Sequence, residues 1–296
     1  MRNVVKIVCV GLISSSSVFA QETDVQYNPN SVDPIPKYEQ LYKVRVWRQI
    51  DLSEKQNKGF FANNGQITKL ILDAIRSGEI ADVYDNDSLR TKLSKDNFLK
   101  LLTAAQGTVY PNWDPTTAVF SGDVFTYNGK NYEAQTNNTG LNPESSPNDW
   151  VITSQGRAQT YLASDISTMR IVEDMIFDKR RSRLYYDIQA VQLVVPGSKT
   201  TTGVDTELGW IKYKDLVKVF RNHPDEAIWF NRYNTAENKN YADAFLLRLF
   251  HGNIYKVENP DDNRIVDIYP MHKEAIWATE WEEMKMMERE HNLWEY

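Results

Sequence analysis

The chain has 296 residues, with 34 Lys and Arg against 40 Asp and Glu, a formal charge of −6, 41% apolar content, 12% aromatic content and one cysteine. That acidic balance excludes sequence-independent nucleic-acid binding, which needs clustered cations to neutralise phosphates. The apolar content suffices for one large core or two small ones without help from disulfides.

Met1 to Ala20 has the layout of a secretory signal peptide. Arg2 and Lys6 supply the positive start, Ile7 to Ile13 the apolar stretch, and Val18-Phe19-Ala20 the small-residue cleavage site. Cleavage there removes Arg2, Lys6 and Cys9, so the remaining chain carries −8 and no thiol. No later apolar run approaches the ~20 residues a membrane-spanning helix needs, so an exported chain that does not span a membrane is expected.

Gln21 to Pro36 is polar and holds two Pro-containing turns, a flexible or extended lead-in. Tyr42 to Leu52 alternates as a strand, with Val44, Val46 and Ile50 offered to a core. Gln66 to Ser77 predicts a helix with Ile67, Leu70, Ile71, Ala74 and Ile75 on one stripe and Gly78 as its left-handed cap. Ser94 opens a second helix through Ala105. Asp165 to Phe177 places Ile166, Met169, Val172 and Ile176 at near-helical spacing, and a helix is expected. Leu184 to Val195 and Leu208 to Tyr213 are strand-like, and Lys214 to Asn222 is a helix stopped before Pro224. Tyr241 to His251 predicts an amphipathic helix ended by Gly252. Ile254 to Val257 and Ile265 to Tyr269 flank Asn259-Pro260-Asp261-Asp262-Asn263 as a hairpin. A last helix from Ala275 to about Glu290 gathers Trp277, Trp281, Met284 and Met287 on one side, expected to be core or a mixed core and interface face. The irregular mixture of helices, short strands and hairpins predicts an α+β fold over a doubly wound parallel sheet.

Between Gly107 and Ser154 the helical period disappears and turn residues multiply. Asn128-Gly129 between alternating segments is a strong hairpin signal, because both central positions of the turn want positive φ. The pattern from Trp113 through Gly122-Asp123-Val124, Tyr127-Asn128-Gly129 and Tyr132-Glu133-Ala134 to Asn142-Pro143 and Trp150 resembles the small chitin-type carbohydrate-binding module. The resemblance covers residues 108–154 only and sets the 37–107 and 155–296 segments apart as the core. Saccharide-binding members of that class carry an exposed tryptophan pair after the Tyr-x-Ala strand; here Thr136 and Asn137 stand in those places. Trp113, Tyr127, Tyr132 and Trp150 are therefore expected as the insert's own core, with glycan contact as the alternative.

No catalytic constellation stands out. His223, His251, His272 and His291 share no metal-ligand spacing, and there is no Walker loop, dinucleotide fingerprint or nucleophile elbow. Neither an enzyme nor a cofactor is expected. The candidate contact residues are instead Arg45, Trp47 and Arg48, the cluster Asp178, Arg180 and Arg181, and Trp281 and Trp294, since Arg and Trp are enriched where partners bind.

Several segments in order carry a wider resemblance. They are Val46-Trp47-Arg48-Gln49-Ile50-Asp51-Leu52, Asp73 to Ile80, Ile176-Phe177-Asp178-Lys179-Arg180-Arg181-Ser182, Gly209-Trp210-Ile211-Lys212-Tyr213, Ala244 to Phe250, and the Glu290 to Tyr296 tail. Together the chain resembles the GldN/PorN family of the type IX secretion and gliding machinery, with the insert as an addition. The resemblance implies a non-enzymatic periplasmic subunit that builds a ring with an outer-membrane lipoprotein and meets inner-membrane motor components. The alternative is a periplasmic glycan-binding protein, for chitin or peptidoglycan, acting through residues 108–154.

Overall fold

The strand β1 (Gln40–Asp51) runs between two neighbours, and its side chains divide by the two-residue period of a pleated strand. Val44, Val46, Arg48 and Ile50 point to one face, while Lys43, Arg45, Trp47 and Gln49 point to the other. A computed structural model describes residues 27–63, 65–103, 110–153, 160–200 and 203–294. The signal peptide and both expected borders of the insert lie outside those residues.

The remaining strands of the core are β2 (Val83–Tyr84), β3 (Lys92–Leu93), β7 (Thr168–Asp178), β8 (Arg183–Val195), β9 (Thr206–Lys212) and β10 (Asn253–Val257). With β1 they form a seven-stranded sheet in the order β10-β1-β7-β8-β9-β2-β3, every neighbour antiparallel. The α+β expectation holds. The helix expected over Asp165 to Phe177 does not form, because this segment is β7, a central strand. Every residue of β7 is buried, so both faces are shielded and the sequence loses the alternation that marks a one-sided strand.

Among the described residues, helices α1 (Ile67–Ser77) to α6 (His272–Trp294) pack on this framework, α5 (Ile265–Ile268) being a single turn. In α1 (Ile67–Ser77) the expected stripe of Ile67, Leu70, Ile71, Ala74 and Ile75 is buried, and Gly78 closes the helix at φ 86°. Each fully buried aliphatic side chain there contributes about 1.5–3 kcal/mol. The helix α2 (Lys95–Leu101) is capped by Ser94, whose side chain accepts from the Asn97 N–H, and it stops before the expected Ala105. The helix α3 (Tyr213–Asn222) follows β9 directly. The helix α4 (Tyr241–Leu246) ends well before the expected His251, because Arg248 turns the chain at φ 53°. Phe60, Phe220, Tyr241 and Phe245 interlock beneath these helices, with Phe60 and Phe245 ring centres 5.0 Å apart.

The Asn259 turn forms, with its side-chain amide donating to the Asn263 carbonyl at 2.9 Å. The hairpin expected beyond it does not. Residues Ile265–Ile268 make the short helix α5, since the Asp267 carboxylate accepts the Arg264 N–H at 3.0 Å and starts a helical turn instead. The chain ends in α6 (His272–Trp294), longer than expected.

Residues 27–36 lie along the sheet: Ile35 is buried and Asn28 donates to the Gln189 side chain at 2.6 Å. In the insert, β4 (Val124–Tyr127), β5 (Lys130–Ala134) and β6 (Trp150–Ile152) form a separate three-stranded sheet. Asn128 and Gly129 take φ of 48° and 74°, as their turn demands. At its base Thr103 and Thr160 form an antiparallel bridge, and the Tyr161 N–H donates to the Leu102 carbonyl at 2.8 Å.

Candidate assembly surface

Glu173 and Asp174 sit side by side in the middle of β7, fully buried and pointing to opposite faces of the sheet. A buried carboxylate must be paired, and both are. Glu173 takes Arg48 Nε at 2.6 Å and Arg248 at 2.7 Å. Asp174 takes the Arg45 fork at 2.6 and 3.0 Å and Lys43 at 2.8 Å. Burial works against the charged form of Asp174, but the Arg45 and Lys43 contacts outweigh it and hold this carboxyl below the usual range. Arg45 and Arg48 are thus committed inward. Trp47, between them, is buried against Val172 and Ala190, its indole N–H donating to Asp87 at 2.8 Å and Lys256 lying over its ring at 4.3 Å.

Arg48 does a second job. Its guanidinium also donates to the Gly252 carbonyl at 3.1 Å and to Glu283 of α6 at 3.2 Å. The arginine therefore ties α6 to the central strands, while Ala275 and Met286 pack beneath the helix with Val46, Met175 and Ile254. Glu173 and Arg248, the other two members of this network, were not among the residues singled out from the sequence. Their partners lie 75 to 125 residues away along the chain, so no local signal marks them.

The seating of α6 reverses the expected side. Its small residues and Met286 face the sheet, whereas Trp277 and Trp281 are 65% and 55% exposed, and Met284 and Met287 also stand in solvent. Of the two expected placements, core or a mixed core and interface face, a core position does not hold for Trp277 and Trp281, because Ala275, Ala278 and Met286 already fill the shallow space over the sheet. Trp294 is the last residue of α6, and its side chain lies outside the described residues. Ile268, Tyr269 and Met271, just before α6, are exposed as well.

The Asp178, Arg180 and Arg181 cluster forms the β7–β8 turn. Buried Asp178 accepts the backbone N–H groups of Arg180 and Arg181 and the Arg181 guanidinium at 2.8 Å, while Arg180 reaches Glu39 at 3.2 Å. Burial opposes the charge on Asp178, yet these donors keep its carboxyl below the ordinary range. Both arginines remain largely exposed, at 69% and 54%, and retain outward N–H groups.

In the insert, Tyr132 and Trp150 are buried with Val119, Phe125 and Ala134, and Trp113 and Tyr127, edge to face with each other, pack against that cluster. Thr136 donates to Asp149 at 2.6 Å and Asn137 accepts the Ser121 N–H at 2.8 Å, so neither offers a flat face. Phe120, not singled out from the sequence, is 62% exposed. Among the described residues no group of three or more His, Cys, Asp or Glu could hold a metal ion. Within them, too, no helix is long and apolar enough to cross a membrane. A cavity of about 350 Å³ between β10 and the α5–α6 corner has Glu54 and His251 on its wall, 3.3 Å apart and both well exposed.

What this arrangement offers is contact surface: a helix fastened by one face and apolar on the other, and a turn with two outward arginines. Residues 35–295 match the family described as gliding motility associated protein GldN. The chain belongs to the GldN family. GldN proteins are components of the gliding motility and type IX secretion machinery and sit in a secretion complex. The GldN match runs through the insert without a break in its limits. No individual curated protein matches the chain.

Proposed function

We propose that this chain is a non-enzymatic periplasmic subunit of the machinery, exported by a cleaved signal peptide. It self-associates into a ring and is held at the outer membrane by a lipoprotein of the same machine, with inner-membrane motor components as further contacts. The observation that supports this most is the outer face of α6. Beside its exposed charged residues, this helix turns two tryptophans and two methionines to solvent, where the surface helix of a lone protein carries polar side chains. Contiguous exposed apolar surface of this kind marks a protein–protein contact. Membership of a family that works in a secretion complex supports the same reading.

Purification of the tagged chain from its native envelope in mild detergent, with identification of everything that accompanies it, tests the proposal. A stable large complex containing an outer-membrane lipoprotein is the expected result. A lone monomer, under detergent conditions that preserve other envelope complexes, would overturn it.

A further inference from the structure

A second unpartnered surface lies far from α6 in sequence. Lys55, Lys58, Gly59, Trp229, Arg232 and Tyr233 line a recess of about 280 Å³ that contains no carboxylate. Its floor is where Gly59 meets the Trp229 indole. A Cβ on residue 59 would fall 2.4 Å from Trp229 Nε1, so only glycine leaves the indole in place. Among the described residues that indole N–H is buried with no hydrogen-bond partner, so the floor of the recess is dry. The backbone fixes the floor, since the Phe230 N–H donates to the Gly59 carbonyl at 2.9 Å.

The rim is cationic and aromatic. Among the described residues Lys55, Lys58 and Arg232 make no ion pair, although the chain as a whole is acidic. Tyr233 is 85% exposed, with the Arg232 guanidinium over its ring at 5.2 Å. It is held there by its own N–H, which donates to the Asn231 side chain at 3.0 Å. Tyrosine, tryptophan and arginine together in a concave spot are the composition of a binding hot spot.

The outer face of α6 has the opposite character. Helical spacing sets Trp277, Glu280, Trp281, Met284, Met287 and Glu288 on one side, all exposed. Neither Glu280 nor Glu288 makes an ion pair among the described residues. The stripe therefore brings apolar anchors and carboxylates without ion pairs, while the recess brings cations without ion pairs and an aromatic wall.

We propose that the outer face of α6 in one copy of this chain seats in the Lys58–Trp229–Arg232 recess of a second copy. A tryptophan of the stripe fills the hollow, and carboxylates of the stripe answer the cations of the rim. The two patches differ, so the contact is head-to-tail, the type that closes into a ring or runs on as a filament. This inference rests on the self-association proposed above and names the surfaces that carry it.

The test uses the full processed chain in sedimentation velocity at low and high salt. The recess variant is Lys58→Glu with Arg232→Glu; the helix variant is Glu280→Lys with Glu288→Lys. All four positions are exposed, so folding is expected to survive. Each variant alone is expected to self-associate at least tenfold more weakly than wild type, and raised salt should weaken the wild type. Mixing the two variants one to one should restore assembly with the two kinds of copy alternating, because an altered recess then meets an altered helix and an unaltered recess an unaltered one. Variants that associate as well as wild type, or a mixture that stays monomeric, would overturn this seating while leaving a ring built on other surfaces in place. A wild type that stays monomeric alone also overturns it, and co-purification with the lipoprotein then decides the ring reading separately.

Discussion

Replacing Glu173 by alanine should be among the most damaging single changes the sheet can suffer. The carboxylate is fully buried and receives Arg48 at 2.6 Å and Arg248 at 2.7 Å. Its loss leaves two guanidinium groups facing each other in a site where the Arg48 side chain is only 13% exposed. Breaking a buried pair by removing one partner typically costs about 3–5 kcal/mol. For a chain of this size each kcal/mol lowers Tm by about 2–4 °C, so a fall of roughly 6–20 °C is expected. Glu173→Gln keeps the shape and one acceptor but not the charge, and should cost about 1–3 kcal/mol. Because Arg48 also holds Glu283, α6 should loosen first, seen as faster protease cleavage between 272 and 294 at temperatures below the global transition. Urea unfolding and limited proteolysis measure both. A Glu173→Ala protein within 1 kcal/mol of wild type, with α6 still protected, would refute the view that this carboxylate organises the centre of the fold.

Asp187 predicts a pH effect of known sign. Burial pushes its carboxyl up to about 6, and the Gln189 amide at 2.6 Å offsets only part of that. Since the folded value lies above the unfolded one, its contribution to stability is present below about pH 4 and is lost as pH rises through 6. Asp187→Asn should therefore stabilise the protein by up to about 3 kcal/mol at pH 7.5 and by nothing below pH 4, as read from urea midpoints across that range. Excision of residues 104–159, with a short Gly-Ser link from Thr103 to Thr160, should leave a core that melts cooperatively in circular dichroism, because those ends already pair. The intact protein should not be retained on chitin, since the insert spends its aromatics internally. Retention that disappears on Phe120→Ala would return the glycan reading.

The parts of the fold that could be read from the chain are those whose partners are local. The stripe of α1 and its Gly78 cap, the Ser94 cap and the Asn128-Gly129 turn each carry their cause within a few residues. The segment that became β7 could not be read this way. Arg170, Glu173 and Asp174 look like the wet side of a helix until Glu207, Arg48, Arg248, Arg45 and Lys43 arrive from distant strands to neutralise them. The outer face of α6 was visible as a set of residues but not as a direction. Which side of the helix meets the sheet depends on the small space that Ala275 and Ala278 fit, and helical spacing is silent on that. The recess beside Trp229 joins residues nearly the whole core apart, and its cations carry no motif.

The bridge between Thr103 and Thr160 has a consequence for how such a chain can vary. The bridge brings both ends of the intervening segment to one point beside the sheet. Closing a longer loop costs only about 0.6 kcal/mol per doubling, so a change in the length of a segment held at such a doorway is expected to leave the strand registers of the sheet as they are.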